Sequence, residues 1–125
     1  MFGLQKTSPD SAVIDALPRS QAIIEFTPDG TILTANRNFL DTLGYKLDEV
    51  AGKHHSMFVP PETRDTPEYR AFWDALAKGE SQSAQFRRVT KDGRDIFIQA
   101  SYNPVTEAGG KVVKVVQLAS DITEQ

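Results

Sequence analysis

Hydrophobic positions recur along this chain with two different periods. Residues 1–9 are largely polar, and Val13, Ile14 and Leu17 then share one face of a short helical pattern over residues 11–18 that Pro18 stops. Two apolar-rich runs, residues 21–26 and 31–35, flank Thr27-Pro28-Asp29-Gly30, the signature of a β-hairpin turn. Phe39, Leu40 and Leu43 return to helical spacing, with Gly44 at the position that closes a helix. Residues 46–52 read as another single helical piece, also closed by glycine.

The clearest helix starts at Thr66. Its hydroxyl suits the N-cap, and Pro67 suits the first helical position. Tyr69, Phe72, Trp73 and Leu76 then form one apolar stripe that ends at Gly79. Beyond it the period becomes two. Residues 83–90, 95–104 and 111–120 read as three antiparallel strands joined at Lys91-Asp92-Gly93 and Glu107-Ala108-Gly109-Gly110. Alternation puts Ile96, Ile98 and Ala100 on one face and Phe97, Gln99 and Ser101 on the other. On the last strand it groups Val113, Val115, Gln117 and Ala119, and sends Val112, Val116 and Leu118 to the face of Phe97. The expected class is α+β, a five-stranded antiparallel sheet with helices packed over one face, an N-terminal cap helix, and any cavity between sheet and short helices.

Composition narrows the function without changing that picture. At 125 residues and 39% hydrophobic content, the chain suits one domain with one core. A net charge of −3 gives no electrostatic reason to bind nucleic acid or an anionic membrane. With no cysteine, disulfides, thiolate metal sites and thiol catalysis are excluded. No apolar run approaches the roughly 20 residues that span a bilayer, and the N-terminus lacks the apolar core of a signal peptide. A cytoplasmic domain with no direct membrane insertion is expected. Paired carboxylates, nucleophile motifs, phosphate loops and metal-ligand spacings are all missing, so no catalysis is expected.

Several fragments, in order, resemble a PAS domain: PDGTILTAN (28–36), FLDTLGY (39–45), LDEVAGK (47–53), KDG (91–93), NP (103–104) and DIT (121–123). More narrowly, GKHH (52–55) with FV (58–59), the helix PEYRAFWDALAKGE (67–80), FRRVTKDGR (86–94) and QASYNP (99–104) resemble PAS modules of bacterial methyl-accepting chemoreceptors and aerotaxis transducers. The resemblance implies a dimeric sensory input domain whose output lies in a separate C-terminal region. It implies a flexible N-terminus over 1–10, a single PAS domain over 11–123, and at 124–125 the start of a linker to that output region. Asp121, Ile122 and Thr123 would mark the signal exit. The alternatives are a ligand-free PAS dimerisation module, or the same input in front of a histidine kinase or cyclic-dinucleotide enzyme.

The resemblance also offers pocket candidates: His55, Met57, Trp73, Arg88, Ile98, Ala100, Gln117 and Ala119. Adjacent side chains diverge, so His54 and His55 are not expected to share a metal. His55 falls where light-sensing flavin relatives carry a reactive cysteine; it either lines the pocket or packs with its ring bonded to backbone. Trp73 reads as core rather than as a plate for a cofactor. No bound cofactor is expected, with FAD and haem as alternatives. PAS haem sensors carry their axial histidine further along, where this chain has none. Aerotaxis relatives hold flavin with a basic and an acidic residue and a tryptophan, where this chain has Val59, Pro60, Glu62 and Phe97. Arg88 is expected to face inward, paired with an anionic ligand or with a carboxylate such as Glu25 or Asp41. A homodimer is expected through Val13, Ile14, Leu17, Phe97, Val116 and Leu118.

Overall fold

The computed structural model describes residues 21–123. Strands β1 (Ala22–Phe26), β2 (Ile32–Ala35), β3 (Gln82–Val89), β4 (Asp95–Thr106) and β5 (Val112–Asp121) form one antiparallel sheet in the order β2-β1-β5-β4-β3. Between β2 and β3 come α1 (Arg37–Leu43), α2 (Leu47–Val50), a 3-10 turn (His55–Phe58), α3 (Pro61–Arg64) and α4 (Pro67–Ala77). This is the α+β architecture expected from the pattern. The proposed helix over residues 11–18, with Val13, Ile14 and Leu17, lies outside the described residues.

Local chemistry places each piece. The Asn36 side chain caps α1 by accepting from Phe39 N (2.9 Å), accepts from Ile23 N (3.0 Å) and donates to Gln21 O (2.9 Å), tying the helix to β1. Gly44 closes α1 at φ 86°, a left-handed conformation that glycine adopts without a Cβ penalty. Thr66 caps α4 by accepting from Tyr69 N, with Pro67 at the first position. The core lies between the helices and one sheet face. Phe39, Leu43, Phe58, Tyr69, Trp73 and Leu76 pack there against Ile24, Phe26, Ile98, Ala100, Tyr102 and Val115.

On β4 the alternation holds, with Ile96, Ile98, Ala100 and Tyr102 buried and Phe97 45% exposed. On β5 it breaks at the start. Thr106 pairs with Val112 and Val105 with Lys114, so Val113 is an extra residue bulged out of the ladder. The bulge reverses the expected parity: Val112 turns into the core and Val113 is 44% exposed. The sequence gives no warning, because all three residues at 112, 113 and 115 are valine.

Candidate functional site: the buried His55–Arg88 cavity

The site begins with two neighbouring histidines that part company. The His55 backbone N–H donates to Gly30 O (2.9 Å), and His54 bridges Thr31, so the segment is laced to the β1–β2 turn. The His54 ring stays at that turn: its Nδ1 accepts from Ser56 N (3.0 Å), and its Nε2–H donates to Asp29 O (2.8 Å). The next residue swings its ring into the core, where His55 is 1% exposed among Phe26, Phe58, Phe72 and Trp73.

Two tyrosines hold the buried imidazole. Tyr69 Oη lies 2.6 Å from Nδ1 and Tyr102 Oη 2.9 Å from Nε2. Trp73 Nε1–H donates to Tyr69 Oη (3.1 Å), and Arg88 Nη2–H donates to Tyr102 Oη (3.0 Å). One hydrogen pattern satisfies the interior. Tyr102 is wholly buried and already accepts from Arg88, so its own hydrogen goes to His55 Nε2. His55 Nδ1–H then donates to Tyr69 Oη, and Tyr69 also lines an open cleft of ≈ 530 Å³ with His54, Arg64, Arg70 and Trp73. A second ring proton would place a cation beside the Arg88 guanidinium. Burial first, then Arg88 and His54, accordingly push the His55 imidazolium well below the ordinary histidine range. Burial raises both tyrosine hydroxyls above theirs.

Arg88 does face inward, 7% exposed, but its expected carboxylate partner is not there. Glu25 sits on the opposite sheet face, paired with Lys114 at 2.9 Å, because Glu25 and Ile24 alternate and Ile24 takes the core side. Asp41 forms no ion pair with it either. Arg88 instead donates Nη1 to Arg87 O (3.0 Å) and Nη2 to Tyr102, and lies 4.7 Å over the Phe86 ring. Its Nε is buried without a partner, as is Gln117 Oε1.

Both residues line a cavity of ≈ 10 Å³, about the space of one water, with His55, Ile98, Ala119 and Asp121 also in its wall. Of the pocket candidates, the structure therefore brings together His55, Arg88, Ile98, Gln117 and Ala119. Ala100 and Trp73 are buried in the core but outside this wall, and Met57 is half-buried against the core. Tyr69 and Tyr102 were not singled out from sequence. Tyr102 shares the parity of Ile98 and Ala100, and a buried hydroxyl needs a partner, which was the available signal.

The exit triplet is pinned to the edge of this site. Asp121 Oδ1 accepts from Thr123 N (2.9 Å) and Oγ1 (2.5 Å), Ile122 N donates to Phe97 O (2.9 Å), and Phe97 N donates to Thr123 Oγ1 (3.0 Å).

The PAS fold family model matches residues 18–125, most of the chain. The chain belongs to the PAS family. This PAS domain is 48% identical over 112 residues to the biofilm dispersion protein BdlA of Pseudomonas aeruginosa, covering 90% of the chain and 27% of that protein. It is 27% identical to the oxygen sensor protein DosP of Escherichia coli, covering 97% of the chain and 15% of that protein. The chain thus spans about a quarter or less of these relatives. It also superposes on a light-oxygen-voltage domain studied with a flavin analogue, at TM-score 0.75 and 25% identity, over 98% of this chain and 90% of that one.

Neither haem nor flavin fits the PAS cavity as folded. Haem needs an axial ligand, yet both ring nitrogens of the one inward histidine are engaged by tyrosines. A space of ≈ 10 Å³ admits neither a porphyrin nor an isoalloxazine. Phe97 points out of the opposite face, Val59 is buried, and Glu62 is bound to Arg87 at the surface. Among the described residues no cluster of three or more histidine or carboxylate groups could hold a metal, and no helix is long and apolar enough to cross a membrane.

Proposed function

We propose that this PAS domain is the signal-input module of a bacterial chemotaxis- or aerotaxis-type receptor, carrying no catalysis of its own and acting in the cytoplasm. The observation behind this reading is that one small cavity touches both Arg88 on β3, at one edge of the sheet, and Ala119 and Asp121 at the end of β5. A change in what the cavity holds, or in how its wall closes, favours one arrangement of Asp121, Ile122 and Thr123 over another. The signal is then a population shift passed to a C-terminal region. The 48% identity to the biofilm dispersion protein BdlA, over 27% of that protein, supports a module that works within a longer bacterial protein.

The same reading makes the domain a homodimer through the outer sheet face. Phe97 is exposed there, Leu118 is half-buried and Val116 is already buried within the chain, so Phe97 and Leu118 would carry the contact. A monomer in sedimentation at tens of micromolar excludes that part.

The functional reading is tested by replacing the matching segment of BdlA with residues 18–125 and scoring biofilm dispersion. A working chimera that Gln117→Leu silences is expected. A chimera no better than one lacking the domain contradicts the reading, and activity indifferent to the cavity favours a ligand-free dimerisation module.

A further inference from the structure

We infer that the cavity beside Arg88 receives a small monoanion, of chloride to nitrate size, held by the Arg88 Nε–H and the Gln117 side-chain amide. This deepens the signal-input reading and rests on it only for what binding would signal.

The charge carries the inference. An arginine stays protonated in a protein interior, and a buried cation with no counter-charge is costly. Arg88 is 93% removed from solvent by its 7% exposure, yet its partners are a neutral hydroxyl, a backbone carbonyl and an aromatic face. No carboxylate among the described residues forms an ion pair with it. Asp121 also lines the cavity, but its Oδ1 is engaged by Thr123 and it makes no bond to Arg88. His55 offers no negative charge, and its neutral state suits a neighbouring cation rather than cancelling it.

The vacant bonding capacity is in the right place. Arg88 Nε–H and Gln117 Oε1 have no partner, and both residues line the same cavity of ≈ 10 Å³. A single water accepting from Nε and donating to Oε1 would satisfy both atoms but leave the guanidinium charge uncancelled. A monoanion accepts from Nε, and a half-turn of the Gln117 amide, which preserves its shape, presents Nε2–H₂ as a second donor. Chloride is larger than water and needs a slight opening of the cavity wall. Formate needs only a small outward movement of the Gln117 or Thr42 side chains that share the wall. Nitrate, planar like formate and slightly larger, is the upper limit, and sulfate is refused by volume.

The test reads Arg88 directly. Arginine Nε–Hε signals of the 125-residue chain are followed by ¹H–¹⁵N NMR, with Arg88 assigned by the signal that Arg88→Lys removes. Sodium chloride, nitrate and formate are titrated in turn against sodium sulfate at an ionic strength of about 0.1 M. For at least one of them the Arg88 Nε–Hε and Gln117 amide signals should move together and saturate, with a midpoint of order millimolar, while exposed Arg94 stays still. Gln117→Leu should weaken that midpoint by about fivefold or more. If Arg88 shifts with none of the three, or only in parallel with Arg94, a bridging water alone fills the site and the inference is overturned. A saturable Arg88 shift beside a silent BdlA chimera would keep the anion site and reject the signalling role; a working chimera with a static Arg88 would do the reverse.

Discussion

The two faces of the sheet each bury a cation, and they treat it differently. On the outer face the Lys114 ammonium meets the Glu25 carboxylate at 2.9 Å, with Glu25 fully buried. On the inner face Arg88 is buried to a similar degree but finds only a tyrosine hydroxyl, a carbonyl and a phenyl ring. In the first arrangement the charges are matched, although Glu25 Oε2 is itself left without a hydrogen-bond partner. Desolvation raises the Glu25 pKa and lowers that of Lys114, yet each charge has its opposite at hand. The second is open: a donor, an acceptor and a small space remain together. A paired buried charge holds the fold, whereas an unpaired one beside a cavity is available for function.

That contrast breaks first at Glu25. Glu25→Gln keeps the shape but removes the carboxylate from a side chain buried beside it. Breaking a buried pair costs roughly 3–5 kcal/mol, and the low end is expected here because the Lys114 side chain keeps 11% exposure. Urea unfolding measures it; a change below about 1 kcal/mol would put the outer pair in the weak class of surface bridges.

His55 sharpens the inner side through pH. Its folded pKa is depressed, while the unfolded chain titrates near 6.5. The unfolded state therefore takes up a proton that the folded state refuses. Stability from this group is full above about pH 6.5 and falls below it, by up to about 1.4 kcal/mol per pH unit until the folded pKa is reached. The lowered carboxylates Asp29, Glu49, Glu62 and Asp92 lose their contribution further down, as pH falls through their own folded values. Raised Glu25 acts with the opposite sign, gaining stability as pH falls toward its unfolded value. From about pH 7.5 to 5.5 the wild type should lose about 1 kcal/mol more than His55→Gln in urea unfolding. Equal losses would mean that His55 ionises freely in the fold.

Much of this was legible in the sequence. The hairpin at Pro28-Asp29-Gly30, the Thr66-Pro67 helix start and the burial of Ile96, Ile98 and Ala100 follow from turn chemistry, capping and alternation. These depend on neighbours in the chain. What failed depends on partners far apart in it. The Val113 bulge is set by pairing between β4 and β5, and a run of valines looks the same in either register. The carboxylate partner of Arg88 was misjudged because face matters more than charge: Glu25 follows Ile24, and only one of the two can point inward. The tyrosine pair around His55 joins residues 14 and 47 positions away; strand parity points Tyr102 inward, but short-range patterning does not say that it meets His55.

The smallest change in stability carries the most direct test. Arg88→Met removes the uncompensated charge while keeping an unbranched side chain, and stability should stay within about 1 kcal/mol of wild type. The cavity should nevertheless transmit the change. Arg88 lies on β3, two strands from β5, and shares the cavity wall with Gln117, Ala119 and Asp121. Backbone amide hydrogen exchange along β5 should therefore differ between Arg88→Met and wild type at residues 117–121 and stay the same at residues 112–114. Exchange altered only on β3 and β4, with residues 117–121 unmoved, would contradict the coupling of the cavity to the exit strand.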